Sequence, residues 1–460
     1  MRLTMPASYR QLGPVCIMQQ IDVLELESRS RPPKAIPTRP ISAAPPVSSE
    51  ILLRNQDLQG NGNPGDTPST VGFSNQTLET IFGQMVIIVP CKNEDPKTVR
   101  NVLRGIPATC AVLLVSNCAD GYTELSAMLE NICKYGRQAI LVHQKYQGAA
   151  LAFGAVGVPQ LLDPLRTDTI RDGKGEGMYL GIAMARTFFP ERQYVGFVDA
   201  DNQVPGSVNE YCRVYAAGFL LSHQYSDAGE EQVMVRISWQ CKPKVRNGQI
   251  SYDEPEGRSS RVVNSWLNRL FAKPFGDDSK FITTGNAGEH AMTMDMALGS
   301  RWANGYAIET YQFLDPFLPP TSNLSSATTN GIRGHNSGKP RRILQIRTLN
   351  PHLHRQGDDL HILRMWAAGL GVIWHNLSQR AVIPGIDQST LDEIRTELVK
   401  YAVENGGLAK KKRLPRPRVY PALNQLDFDE FKKVMTEQRN LQSYGAPLFF
   451  GFDDCEQLDD

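Results

Sequence analysis

Four short apolar runs dominate the first half of the chain: MVIIVP at 85–90, AVLLVS at 111–116, AILVH at 139–143 and YVGFV at 194–198. None alternates with polar residues, which is the pattern of strands buried on both faces. Between them the period changes. Leu125, Met128, Leu129, Ile132 and Cys133 recur at helical spacing, an apolar stripe turned to a core. Buried strands joined by helical crossovers make a βαβαβ unit with a parallel sheet. MVRISWQC at 234–241 and RILQIRTLN at 342–350 read as two further strands. GRSSRVVNSWLNRLF at 257–271 predicts an amphipathic helix with Val262, Val263, Trp266, Leu267, Leu270 and Phe271 inward. STLDEIRTELVKYAVE at 389–404 predicts a capped helix with Leu391, Ile394 and Leu398 on one stripe. The expected fold is α/β: a Rossmann-like, mostly parallel sheet flanked by helices, with a helical C-terminal part.

Where the pattern fails, composition takes over. Residues 28–76 are rich in Pro, Ser, Gly and Asn and bury too little apolar surface to offset their ordering entropy. The first 80 residues are therefore expected to form a disordered extension. Residues 321–340 read as a mobile loop, and AKKKRLPRPR at 409–418 as a solvated basic linker, with phosphate contact or nuclear import the other uses of such a run. The 460 residues are 41% apolar and 21% charged, ample for a large core. A net charge of +1 gives no overall field that would select nucleic acid or an anionic membrane. The eight cysteines include no C-x-x-C pair, which argues against a disulfide framework or a zinc-thiolate site and for a reducing, cytoplasmic setting. No stretch approaches the ~20 apolar residues of a membrane helix, and the N-terminus lacks the apolar core of a secretory signal.

The candidate chemistry sits at strand ends. FVDADNQVPG at 197–206 places Asp199 and Asp201 beyond the fourth apolar run. The pair could clamp a metal or simply close a buried strand with a polar turn. Ligands in open α/β sheets bind beyond the carboxyl ends of strands, which favours the clamp. Hard carboxylate oxygens suit Mg²⁺ or Mn²⁺, ions that keep bonds for substrate phosphates. Pro90, Lys92, Asn93 and Glu94 follow the first run, and Gln144 and Lys145 the third; they are candidates for holding a nucleotide or for a solvated loop. RDGKGEGMYLGIAMA at 171–185 sets glycines before a helix. Its backbone N–H groups, with Lys174, suit a diphosphate, although the spacing is not that of a P-loop. NPHLH offers His352 and His354 as further ligands. Arg258, Arg261 and Arg269 lie off the apolar face of their helix, where arginine forks suit phosphate oxygens; Arg341 and Arg342 are a second basic cluster.

VPCKNE, SN at 116–117, HQK, GKGEGM, VDADN, TTGNAGEHAMTMD and NPHLH occur in this order. Together they resemble the mannosyl-3-phosphoglycerate synthases, retaining glycosyltransferases of the GT-A fold, over residues 83–385. GEHAMTMD is far more specific than the Asp pair. The resemblance implies transfer of mannose from GDP-mannose to 3-phosphoglycerate with a divalent metal, Mg²⁺ or Mn²⁺. It implies a glycosyltransferase domain over 81–385, with a nucleotide-sugar half at 81–205 and an acceptor half at 206–385, then a helical region and tail at 386–460. Carried over by motif, Asp199 and Asp201 are the metal-binding acids, with His352, ranked ahead of His354, as a further ligand. The donor set is Pro90, Lys92, Asn93, Glu94, Asn117, Gln144, Lys145, Lys174, Gly175, Glu176, Gly177, Asp199 and Ala200. The acceptor set is Arg258, Arg261, Gly288 and Glu289, and the catalytic set Asp201, Glu289 and His290. A homodimer is compatible with the sequence. Two rivals remain at this stage: a sugar-phosphate nucleotidyltransferase, and a mannosyltransferase acting on unphosphorylated glycerate. A non-catalytic nucleotide-sugar sensor is disfavoured by the intact acid pair.

Overall fold

The computed structural model describes residues 1–27, 70–119, 121–225, 231–246, 249–252, 256–275, 280–318, 339–354, 359–378, 383, 385–404, 416–437 and 448–450. Sixteen strands are seen among them: β1 (Arg2–Thr4), β2 (Ser8–Leu12), β3 (Val15–Glu25), β4 (Thr70–Gly72), β5 (Met85–Cys91), β6 (Ala111–Ser116), β7 (Ala139–His143), β8 (Tyr194–Phe197), β9 (Gln232–Ser238), β10 (Lys244–Arg246), β11 (Gln249–Ser251), β12 (His290–Thr293), β13 (Trp302–Ala303), β14 (Arg341–Arg347), β15 (Val419–Tyr420) and β16 (Leu448–Phe450). Twelve form one sheet in the order β16-β7-β6-β5-β8-β12-β9-β14-β3-β1-β4, with β2 on β3. β5 runs parallel to β6 and β8, and β6 to β7. The four apolar runs thus became the central strands, and β5, β6 and β8 are buried at every position but Pro90. Helices cover both faces, so two apolar cores form, one on each side of the sheet.

The strand directions decide where the chemistry gathers. β12 is antiparallel to both β8 and β9, so β8 and β9 point the same way. β14 runs parallel to β9. The carboxyl ends of β5, β6, β7, β8, β9 and β14, and the amino end of β12, therefore open on one edge of the sheet.

The expected helices are present. In the Arg258–Phe275 helix Val263, Leu267, Leu270 and Phe271 are buried, while Val262 and Trp266 are half-buried. The Gln388–Glu404 helix buries Leu391, Ile394 and Leu398. Its cap is Asp387, whose carboxylate accepts from the Thr390 N–H at 3.1 Å.

The N-terminal expectation needs correcting. Residues 1–27 are not an unstructured extension: β3 pairs parallel with β14 and antiparallel with β1 and β2. Val15, Ile17, Met18, Ile21 and Val23 are buried there. Thr70–Gly72 adds the edge strand β4, and Asn75–Phe82 is a helix capped by Ser74. Residues 28–69 lie outside the described residues, as do 321–338 of the expected loop and 409–415 of the expected linker. Among the described residues no helix is long and apolar enough to cross a membrane.

Candidate active site

A cleft of about 460 Å³ lies over the shared edge of the sheet. Asp199 and Asp201 stand at its floor, just past β8. Lys174, the first residue of the Lys174–Phe188 helix, puts Nζ 2.7 Å from Asp199 Oδ1 and 2.8 Å from Glu309 Oε1. Burial opposes the ammonium, but the two acids hold Lys174 well above the usual lysine range. Burial raises Asp199, while Lys174 works against the rise. Gly288 allows this crowding, since a Cβ there would stand 2.8 Å from Asp199 Oδ2 and 3.0 Å from Lys174 Nζ.

His354 Nδ1 lies 3.4 Å from Asp201 Oδ2. Burial alone would raise Asp201, but the hydrogen bond and charge of His354 bring it below the ordinary carboxylate range. The contact follows from backbone pairing: Asn202 bridges His354, and the Gln203 N–H donates to the Leu353 carbonyl at 3.0 Å. Glu210, on the Pro205–Ser222 helix, accepts from the Leu349 and Asn350 N–H groups at 2.6 and 2.9 Å. His352 is buried, stacked 4.7 Å from Trp239 with Nδ1 2.9 Å from the Tyr211 hydroxyl. Burial, then Lys242 and His354, push its pKa well down.

Glu289 is buried at the start of β12, where its Oε1 accepts from Asn202 Nδ2 at 3.1 Å. Burial, reinforced by Asp199, raises its pKa to about 8. The turn that presents it is held by buried groups. Arg236 on β9 donates to the carbonyls of Thr284, Ala287 and Glu309 at 2.8, 3.2 and 3.0 Å. Gln345 on β14 and Asn264 hold Thr283, Thr284 and Gly285.

The cleft brings together Pro90, Lys92, Glu94, Asn117, Gln144, Lys174, Gly177, Asp199, Ala200, Asp201, Arg258, Gly288, Glu289, His352 and His354 from the sequence reading. Others fall elsewhere. Asn93 and Lys145 do not line it; Lys145 pairs with Asp172 at 2.9 Å. Within the glycine-rich loop Gly177 and Lys174 line the cleft, whereas Gly175 packs away from it: its N–H donates to Gly305 O at 3.2 Å, and a Cβ there would stand 2.0 Å from Ala303 O. Glu176 points behind the cleft, bonded to the Tyr420 hydroxyl at 2.7 Å and the Gly305 N–H at 2.9 Å. His290 is not in the cleft either. It is fully buried against Phe197, with Nδ1 2.9 Å from Gly288 O, and burial, then Arg236, drive its pKa well down. Arg261 sits one turn past Arg258 on a separate depression with Asn264 and Asn268. Arg341 and Arg342 are taken by Pro316 O and Glu231 at the far end of β14.

Sequence reading missed Trp239, Lys242, Tyr306, Glu309 and His361, all of which line the cleft. Lys242 Nζ sits 3.8 Å from the Trp239 ring centroid. A signal was available, because WQCKP follows a strand just as VPCKN does. Glu309 and His361 lie on helices with no such mark.

Among the described residues no three His, Cys, Asp or Glu side chains converge into a ready metal cage. Asp199, Asp201 and His354 nonetheless supply the oxygen and imidazole donors that suit a hard divalent ion completing its shell with substrate oxygens.

A family model for mannosyl-3-phosphoglycerate synthase matches residues 5–435. The mannosyl-3-phosphoglycerate synthase of Pyrococcus furiosus is 34% identical over 77% of this chain and 84% of its own. That of Aeropyrum pernix is 31% identical over 69% of this chain and 80% of its own. A crystal structure of the Rubrobacter xylanophilus mannosyl-3-phosphoglycerate synthase aligns over 76% of this chain and 92% of that one, at 14% identity and a TM-score of 0.42. The Mycobacterium tuberculosis glucosyl-3-phosphoglycerate synthase, solved with Mn²⁺, UDP-glucose and phosphoglyceric acid, aligns over 67% and 85% at 16% identity and 0.43. At that distance neither structure bears on the site.

Proposed function

Because this chain belongs to the mannosyl-3-phosphoglycerate synthase family and is therefore a glycosyltransferase, we propose that it moves mannose from GDP-mannose to 3-phosphoglycerate with retention and with a divalent metal. The observation that carries this reading is the cluster of Asp199, Asp201, His354 and Lys174 at the cleft floor, between loops from β5–β7 on one side and Gly288, Glu289, Lys242 and Arg258 on the other.

The nucleotide half binds over β5, β6 and β7, where Lys92, Asn117 and Gln144 reach the cleft. Its diphosphate faces the acid pair. Asp199, Asp201 and His354 would hold Mg²⁺ or Mn²⁺, which supplies Lewis-acid stabilisation of the leaving diphosphate. Lys174 adds a fixed positive charge on the same side, held by Asp199 and Glu309. On the acceptor side, Lys242 and Arg258 face the phosphate and carboxylate of the three-carbon acid. Burial favours the protonated form of Glu289, in which it can donate a hydrogen bond, and we assign no nucleophile. Trp239 and His352 wall the floor with apolar surface and exclude water around the reacting carbon.

The test is to incubate the purified protein with GDP-mannose, Mg²⁺ and a panel of three-carbon acids. GDP release that requires 3-phosphoglycerate is expected. Pyrophosphate release would instead indicate a nucleotidyltransferase, and equal use of glycerate a mannosylglycerate-forming enzyme.

A further inference from the structure

Two thiols meet beneath the loop that carries Lys92, Asn93 and Glu94. Cys91 ends β5 and lines the cleft. Its ladder partner is Ser116, and the Asn117 N–H donates to Cys91 O at 2.8 Å. The chain then turns so that Cys118 Sγ comes to 3.7 Å from Cys91 Sγ. Both residues are buried, at 3% and 6% exposure. The Asn93 backbone N–H donates to Cys118 Sγ at 3.1 Å, and Asn93 itself sits at φ 61°, in the left-handed region. The cleft loop is thus held in an uncommon conformation by a bond to a sulfur.

We propose that Cys91 and Cys118 are an oxidisable pair, joined by peroxide into a disulfide that releases Asn93 and withdraws the nucleotide-side loop from its binding shape. The loop's role rests on the donor reading above. The hydrogen bond from Cys91, working against burial, brings the Cys118 pKa down to about 5, with Ser116 and the Asn93 N–H adding to it. Cys118 is then the thiolate, the reactive form of cysteine. Its sulfur attacks one oxygen of hydrogen peroxide; the O–O bond breaks, and the departing hydroxide takes a proton to become water. The resulting sulfenic acid is attacked at sulfur by Cys91, the S–O bond breaks, and the hydroxyl leaves with the Cys91 proton as a second water. Two thiols lose two electrons, and one peroxide becomes two waters.

Joining the sulfurs closes their gap to about 2.05 Å, a movement of roughly 1.6 Å. The ladder pins β5 and β6, so the loops at 92–94 and 117–119 must move. A disulfide sulfur is also a poorer acceptor for the Asn93 N–H than a thiolate.

The experiment uses the full chain. Peroxide treatment, alkylation of remaining thiols and proteolysis should yield a peptide pair joined through positions 91 and 118. Titratable thiols should fall by two from eight and return with dithiothreitol. GDP affinity should fall roughly tenfold, about 1.4 kcal/mol, and recover on reduction. Cys118→Ser should give no joined peptide and keep its own GDP affinity through peroxide; Cys241→Ser should respond as the wild type does. Oxidation of Cys118 to sulfinic acid without a joined peptide would overturn the pair. A joined peptide with unchanged GDP affinity would overturn the loop switch. Failure of the reduced protein to bind GDP counts against the donor reading instead, and leaves the peptide result to decide the pair.

Discussion

Asp199 and Asp201 share a motif but not an environment. Lys174 grips one, and His354 faces the other. Asp199→Asn or Asp201→Asn should lower kcat on the order of 10²–10³-fold, the usual cost of removing one electrostatic stabiliser at a reacting centre. Circular dichroism should show the fold intact, and near-wild-type turnover at limiting Mg²⁺ would remove that acid from the site. The two histidines separate differently. His354→Ala should cost activity with Tm roughly unchanged, because the side chain is half-exposed. His352→Ala should cost about 2–3 kcal/mol of stability, as expected for a buried, hydrogen-bonded side chain. Urea melts of both variants decide this. Glu289 makes the pH prediction. Its folded pKa of about 8 lies above the ordinary glutamate value of about 4.3. The folded state therefore holds the proton more tightly than the unfolded chain, and that stabilisation is lost as pH rises from about 4.3 to about 8. Glu289→Gln should flatten the Tm profile across that window. An unchanged slope would show that Glu289 is ionised in the fold.

Among elements, the first strands carry more than their composition suggested. Val15, Ile17, Met18, Ile21 and Val23 on β3 are buried between β14 and β1. At about 1.5–3 kcal/mol each, their burial is comparable to the whole net stability of a domain, about 5–15 kcal/mol. Deleting residues 1–27 should give insoluble or molten protein, and a soluble truncation with a wild-type melt would refute this. The Lys174–Phe188 helix makes a second case. Gly175 abuts Ala303 O so closely that a Cβ would stand 2.0 Å away. Gly175→Ala must push the helix start off its neighbour and, with it, Lys174 from Asp199; lower Tm and lower kcat together are expected. The apolar runs at 85–90, 111–116, 139–143 and 194–198 were legible because an unbroken apolar stretch has one cheap place to go. β3 was not, because Gln20 adopts a left-handed φ of 57° and breaks the alternation where its pairing with β14 shifts register.

Across the whole molecule, selectivity for the acceptor is the quantity to measure. Arg258 and Lys242 enter the cleft from one side, whereas Arg261 faces another depression. A hydrogen bond to a charged phosphate oxygen contributes about 1.5–3 kcal/mol, so two such contacts, Arg258 exchanging its ion pair with Asp359 for the phosphate, give discrimination on the order of 10²–10⁴-fold between 3-phosphoglycerate and glycerate. Arg258→Ala and Lys242→Ala should raise KM for phosphoglycerate more than for GDP-mannose, and Arg261→Ala should leave both nearly unchanged. If Arg261→Ala shows the larger acceptor effect, the side assigned to the acceptor is wrong.

Local chemistry alone determined the central strands, the amphipathic helices and the presence of a strand-end acid pair, since each follows from the periodicity or residue types of a single segment. The motif order, by its resemblance, also pointed to the family. Only the tertiary structure decided which of these residues meet. Because β9 and β14 run parallel to β8, with β12 reversed between β8 and β9, Trp239, Lys242, His352 and His354 arrive at the edge that holds Asp199, from segments far apart in sequence. The same topology buries His290, one residue past Glu289, on the core side of β12. A one-residue step along a strand reverses the face a side chain takes, and which face meets the cleft is settled by the neighbouring strands.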